Sequence, residues 1–467
     1  MYYLNRALKK PLYQQLYDAI KKQILDGDLP QNIALQPVRV LAKELKVSRN
    51  TVDNAYQQLL EEGYIRAIHG SGYYVEDVSK SAFFQDCHSV EAYSEKKKEE
   101  YLYDFDAFSV CSSNFIWYQW EKYIRYACAE EKSQRQIFYE NNKGSYELRK
   151  AICVFVQNYR GVICNPEQIV ICPDTQYAVD IICQLFQNKN IQLAYEEPGD
   201  DWIRDVFSKW DSSIHTVPVR EDGIHVTDLE ETDCNMVYVT PSHQVPVGAI
   251  MSLERRIALL QWAYKQNAYI VENDYDSEFC DQRAILPSIQ SLDRENRVFY
   301  VGSMSKALLP SACCAFLVLP PQMIKKYEEK YKYFHAVLPS YHQKAVANMI
   351  MDGVLEKHIR KMTIRNERKY QLLKKGIELY MKAYVKMQYP PSGTHVLVEI
   401  PMCQKEEQLL AWLQRYHIRI YGTKCYYYHK KNAKENQFMI GFGSLDEDKI
   451  LTACETLGKA LDDYTRR

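Results

Sequence analysis

Lys306 is the residue best placed for covalent chemistry. It follows the apolar run Val298-Phe-Tyr-Val and the turn Gly302-Ser303-Met304-Ser305. A lysine delivered by a buried strand can form a Schiff base with an aldehyde cofactor. Pyridoxal phosphate also asks for an acid at the ring nitrogen, a donor to the ring hydroxyl, and donors or cations for the phosphate. Ser303 and Ser305 offer hydroxyls for a phosphate. A second apolar run, Ala268-Tyr-Ile-Val, ends in Glu272-Asn273-Asp274-Tyr275-Asp276, which reads as an acid-rich loop with a tyrosine suited to ring contacts. The plain alternative is a solvated strand-end lysine beside a charged loop, and spacing by itself leaves both readings open.

A second group of polar residues suits nucleic acid. Ser48, Arg49, Asn50 and Thr51 lead a helical stretch that runs to Glu62. Arg suits a guanine edge and Asn an adenine edge in the major groove. The hydroxyls and the helix N-terminus suit phosphate. A short helix, a tight turn and a second helix led by polar residues is a helix-turn-helix arrangement. Gly70-Ser71-Gly72, between two short strands and flanked by Arg66 and His69, forms a candidate wing whose glycines let backbone approach a groove. The alternative is a small packing module, and the near balance of acidic and basic residues here leaves it open.

These residues need elements to hold them. Leu12, Leu16, Ile20 and Ile24 repeat every four residues and predict a helix that Asp26-Gly27-Asp28 stops. Val38–Leu45 and Arg49–Glu62 are the next two helices, with Ser48 as N-cap of the latter. Beyond residue 103, helical stretches at Tyr146–Tyr159, Thr175–Leu185 and Leu253–Lys265 alternate with apolar runs at 168–172, 236–240, 268–271 and 298–302. That alternation predicts an α/β fold with a mainly parallel sheet, whose ligand sits at the carboxyl ends of strands. Residues 1–77 are expected to form the head, 78–102 a charged linker, and 103–467 a large domain.

The length of 467 residues favours more than one domain, and the net charge of −1 neither demands nor excludes a nucleic-acid partner. The 14 cysteines include no C-x-x-C pair, so neither zinc nor another metal site is expected. No signal peptide and no apolar run of membrane-spanning length is found, which predicts a reduced, cytoplasmic protein without a membrane partner.

Pro11-Leu-Tyr-Gln-Gln-Leu-Tyr, Val47-Ser-Arg-Asn-Thr-Val-Asp-Asn-Ala-Tyr and Gly70-Ser-Gly-Tyr-Tyr-Val resemble the winged helix-turn-helix of the GntR family. One departure is Leu35-Gln-Pro-Val-Arg39, where the family tends to read Leu-Pro-Ser-x-Arg. Arg39, often a phosphate contact in the family, is kept, and Pro37 takes over as helix starter. The rest resembles a fold-type I aminotransferase, through Gly144-Ser-Tyr-Glu-Leu-Arg, Glu197-Pro-Gly, Thr240-Pro-Ser-His-Gln, Asp274-Tyr-Asp-Ser-Glu-Phe and Gly302-Ser-Met-Ser-Lys306. Together the two halves are similar to the MocR subfamily of regulators. The resemblance implies a DNA operator, a homodimer, a small-molecule effector and a pyridoxal phosphate site at Thr175, Gln176, Asn273, Tyr275, Ser303, Ser305 and Lys306.

The same resemblance marks departures. The ring-nitrogen aspartate aligns with Asn273, which carries no charge. The phosphate-binding Gly-Thr-Gln turn reads Asp174-Thr175-Gln176, the stacking aromatic aligns with Asp200, and the phosphate-binding arginine aligns with Cys313. An aminotransferase's carboxylate-binding arginine falls about Met439. A regulator that senses pyridoxal phosphate or another effector through an eroded cofactor site is expected. An aminotransferase with an appended DNA-binding head, and a regulator whose large domain is only a dimerisation scaffold, are the alternatives.

Overall fold

The computed structural model describes residues 10–77, 100–133, 139–187, 190–210, 212–279, 286–312, 314–388 and 393–466, with Tyr2, Leu4, Asn5 and Arg135 besides. Two compact units divide the chain, Met1–Glu99 and Glu100–Arg467. Most of the expected linker, residues 78–99, lies outside the described residues, and so does Cys313.

In the first unit, α1 (Leu12–Leu25), α2 (Val38–Leu45) and α3 (Arg49–Glu61) precede the antiparallel hairpin of β1 (Ile65–Ile68) and β2 (Gly72–Val75). Leu16, Ile20, Ile24, Leu41, Val52, Tyr56, Leu59 and Val75 close one core. The four-residue repeat thus buries one face of α1. Ser48 caps α3, its hydroxyl accepting from Thr51 N at 3.2 Å. Pro37 stands at the N-cap of α2, where its missing N–H costs nothing.

The second unit is built on a seven-stranded sheet. In chain order its strands are β3 (Ile169–Cys172), β4 (Ile191–Glu197), β5 (Ser212–Pro218), β6 (Met236–Val239), β7 (Tyr269–Asp274), β8 (Val298–Ser303) and β9 (Ala315–Val318). Across the sheet the order is β3-β9-β8-β7-β6-β4-β5. The pairs β5–β4, β4–β6, β6–β7 and β7–β8 are parallel, while β9 runs antiparallel to both of its neighbours. The sheet is therefore mainly parallel, as the alternation predicts. Helices α4 (Trp117–Ser133), α5 (Tyr146–Arg160), α6 (Thr175–Leu185) and α7 (Asp201–Ser208) belong to this unit. A four-stranded sheet that includes His395–Glu399 and Gln437–Gly441 packs a separate apolar cluster with the C-terminal helix Ile450–Thr465.

One expectation fails here. Glu272, Asn273 and Asp274 are the last residues of β7 and not a loop. Each is fully buried or nearly so, and each has a partner that makes burial tolerable. The Glu272 carboxylate accepts from Ile289 N at 2.8 Å and Gln290 N at 2.9 Å. Apolar patterning misses such a strand because hydrogen bonds to distant segments replace apolar side chains.

Candidate functional site

Lys306 sits just beyond β8 and is buried. Its Nζ donates to the Asp276 carboxylate, to Thr394 Oγ1 at 2.9 Å and to the Ala107 carbonyl at 3.1 Å. The ammonium also lies 4.9 Å from the centre of the Tyr275 ring and 5.7 Å from that of Phe108. Burial works against a charge on Asp276, but the Lys306 charge, with His243 beside it, outweighs burial and holds the carboxyl below its ordinary range. His243 Nδ1 lies 3.6 Å from the same carboxylate oxygen. The His243 ring stacks on Tyr275 on one side (5.4 Å) and on His395 on the other (4.7 Å). Burial pushes both imidazoles toward the neutral form. The chain passes so close at Gly393, with φ of 69°, that a Cβ there would stand 2.5 Å from the His243 ring.

Asn273 and Asp274 point to different partners, as the alternation of a strand requires. Asn273 Nδ2 donates to the Tyr238 hydroxyl at 2.7 Å, and its Oδ1 is buried without a partner among the described residues. Asp274 accepts from Arg160 Nε at 2.6 Å, from the Tyr300 hydroxyl at 2.6 Å and from the Ser277 hydroxyl at 3.1 Å. Burial opposes its charge, and Arg160 first among these partners outweighs it, so the Asp274 carboxyl is held low. Glu278, buried near Asp276 and Asp274, is pushed up to about 8 by burial and then by the Asp276 charge.

The residues expected at a phosphate are arranged differently. Asp174 caps α6, its carboxylate accepting from Tyr177 N at 2.7 Å. Thr175 and Gln176 open that helix, and the Thr175 hydroxyl donates to Gln176 Oε1 at 3.3 Å. The Ser303 hydroxyl donates to Ser305 Oγ at 2.9 Å. Asp200 caps α7, accepting from Trp202 N at 3.0 Å and Ile203 N at 3.3 Å. Burial raises the Asp200 carboxyl to about 6. Met439 is buried among Ala107, Val245, Leu397 and Tyr426.

Sequence patterns miss Thr394, the Ala107 carbonyl, His395, Arg160 and the ion pair of Asp276, because no local spacing signals them. A charge that folding buries, such as Arg160 or Asp274, demands a partner, but the sequence does not mark these two as buried.

In the head, Arg39, Ser48, Arg49, Asn50, His69, Gly70, Ser71 and Gly72 are exposed and Thr51 is partly so. Arg66 is already engaged. It donates to Glu76 at 2.8 Å and to Asn32 Oδ1 at 2.5 Å. Gly70 and Gly72 have φ of 76° and 115°, the left-handed region that glycine reaches without strain.

Residues 12–75 match the family described as bacterial regulatory proteins, gntR family, and residues 117–457 match aminotransferase class I and II. The chain is 32% identical to the uncharacterized HTH-type transcriptional regulator YdeL of Bacillus subtilis over 98% of both chains. It is 30% identical to the probable rhizopine catabolism regulatory protein MocR of Rhizobium meliloti, over 78% of this chain and 76% of that one. The chain belongs to the MocR subfamily of GntR-type regulators. Its fold matches the α-aminoadipate aminotransferase LysN of Thermus thermophilus with a TM-score of 0.69 at 23% identity, over 78% of this chain and 92% of that one.

The aminotransferase class implies pyridoxal phosphate, and this MocR-type site fits only part of it. Of the residues expected around the ring, Lys306 and Tyr275 lie together and Asn273 Oδ1 is a buried acceptor without a partner among the described residues. The phosphate end does not fit. Its helix N-terminus is already capped by the Asp174 carboxylate, which repels a phosphate dianion, and its two serine hydroxyls bond to each other. No reaction step is therefore derived through the cofactor.

Proposed function

We propose that this chain is a DNA-binding regulator, dimeric and cytoplasmic, whose aminotransferase-like domain binds a small-molecule effector at Lys306 without turning it over. The observation that carries the reading is the Lys306–Asp276 ion pair. A Schiff base needs a neutral amine, and here the nitrogen is held by a carboxylate and two further acceptors. A neutral Asn273 also cannot hold a protonated ring nitrogen as an aspartate does.

A cavity of about 10 Å³, water-sized as it stands, lies beside the lysine and would have to widen to admit an effector. Ser109, Phe279, Met362, Arg365, Asn366 and Thr394 line a pocket that reaches Lys306. Asn366 is buried and its Nδ2 has no partner among the described residues. A ligand with an acceptor group would satisfy that donor. The exposed Arg49, Asn50 and Ser48 at the start of α3 support a recognition-helix role, with the wing residues Gly70, Ser71 and Gly72 beside the groove.

The test pairs a spectrum with a binding curve. The purified protein and Lys306→Ala are titrated with pyridoxal phosphate, and visible absorption and affinity for a selected operator fragment are followed together. Weak or absent lysine-dependent absorption, with operator binding intact and altered by some small molecule through the pocket, supports the reading. A strong lysine-dependent band with transfer of an amino group to a keto acid would make the chain an aminotransferase. Operator binding indifferent to a broad panel of small molecules would leave the large domain as a dimerisation scaffold.

A further inference from the structure

We propose that Cys153 and Cys164 are a peroxide-oxidisable thiol pair that closes to a reversible disulfide. Cys153 lies in the third turn of α5. Gly161 ends that helix in the left-handed conformation, with φ of 69°, and turns the chain back along it. Gln290 then holds Ile163 at both ends, donating to its carbonyl at 2.9 Å and accepting from its N–H at 3.0 Å. The next residue, Cys164, is brought to 3.7 Å from Cys153, sulfur to sulfur. A disulfide needs ~2.05 Å, so the sulfurs must close by about 1.7 Å. Both are partly buried, which leaves access for a small oxidant.

The electrostatics separate the two roles. The Cys164 thiol donates to the Cys153 sulfur, and this bond, despite burial and with help from Arg149, holds the Cys153 thiol below its ordinary range. The same contact and burial push Cys164 up. Cys153 is thus the attacking sulfur and Cys164 the resolving one. The Cys153 thiolate attacks one peroxide oxygen, the O–O bond breaks, and the departing hydroxide takes a proton to leave as water. Cys164 then attacks the resulting sulfenic sulfur, the S–O bond breaks, and a second water leaves. Two thiols and one peroxide give one disulfide and two waters, the sulfurs losing the two electrons that the peroxide gains.

The bridge would span the segment that carries Arg160. That side chain donates to Asp274 on the strand that also holds Asn273. Closure therefore pulls on a support of the Lys306 site, while reduction releases it. A transient bond of this kind suits a reducing compartment.

The full-length protein is treated with a small excess of hydrogen peroxide, quenched, alkylated, digested and mapped by mass spectrometry. The expected main product is a Cys153–Cys164 linked peptide pair that dithiothreitol reverses. Replacing the exposed Cys128 and Cys425 by Ser should leave it unchanged. In Cys164→Ser, a sulfenic acid at Cys153 should be trapped by dimedone. Recovery of both thiols fully alkylated in the wild-type map, or linkage of either to another cysteine, would overturn the proposal whether or not the variants fold.

Discussion

Asp276 and Lys306, the lysine expected at the Schiff-base position, form a buried ion pair. The carboxylate, Thr394 and the Ala107 carbonyl together occupy the nitrogen. Asp276→Asn removes the negative partner but keeps the shape. A charge-assisted hydrogen bond contributes ~1.5–3 kcal/mol, so the rate at which Lys306 captures pyridoxal phosphate should rise by about tenfold or more. Stopped-flow absorption, with Lys306→Ala as the blank, measures it. An unchanged rate would mean that access to the site, and not the ion pair, limits capture.

Arg160 and Asp274 make a second buried pair. Arg160→Met leaves the Asp274 carboxylate without its cation in the interior, which costs about 3–5 kcal/mol. The double variant Arg160→Met, Asp274→Asn removes the orphaned charge and should recover much of that loss. Urea unfolding of the second unit reads both. Equal loss in the single and double variants would show that Arg160 acts through its bonds to Leu286 O and Ser242.

Locality decides what the sequence reveals of this molecule. Leu16, Ile20 and Ile24 repeat within one helix, Ser48 caps the helix that it precedes, and Lys306 follows an apolar run. Each signal spans a few residues. The site's other half does not. Lys306 meets Thr394 across 88 residues and Ala107 across 199, and Arg160 meets Asp274 across 114. These pairings are products of tertiary packing, which no local spacing encodes. The reading of 272–274 as a loop fails for the same reason, since the partners that let these polar side chains continue a strand come from Tyr238, Arg160 and the 289–290 backbone.

Glu278 gives the site a pH signature. Its folded value is raised to about 8, mainly by burial. A raised carboxyl contributes stability that is fully present below its unfolded value of ~4.3 and is lost as pH rises through the folded value. Wild type should therefore lose stability relative to Glu278→Gln between about pH 5 and pH 8. Melting temperatures of the two proteins at several pH values in that window test it. A constant difference would mean that Glu278 is ionised throughout.

Asp174 is the most economical handle on the phosphate end. Asp174→Ser keeps a side-chain oxygen for Tyr177 N and removes the charge. A charge at a helix N-terminus matters by ~0.3–1 kcal/mol, so pyridoxal phosphate should bind roughly two- to fivefold more tightly. Pyridoxal, without the phosphate, should be unaffected. Parallel titrations of the two compounds give the comparison, and equal gains for both would place the effect elsewhere than the phosphate.

Arg49 stands exposed at the first position of α3, next to the Ser48 cap. If it reads a base edge, Arg49→Ala weakens operator binding by ~1–3 kcal/mol and relaxes preference at one base pair. If it touches only phosphate, affinity falls evenly across sequences and the salt dependence shrinks by about one ion. Ser48→Ala separates folding from recognition, because losing the cap costs the head about 1 kcal/mol of stability. Anisotropy titrations against the operator and its single-base variants, at two salt concentrations, distinguish the cases. Unchanged affinity and unchanged preference in Arg49→Ala would remove α3 as the recognition helix and turn attention to the wing.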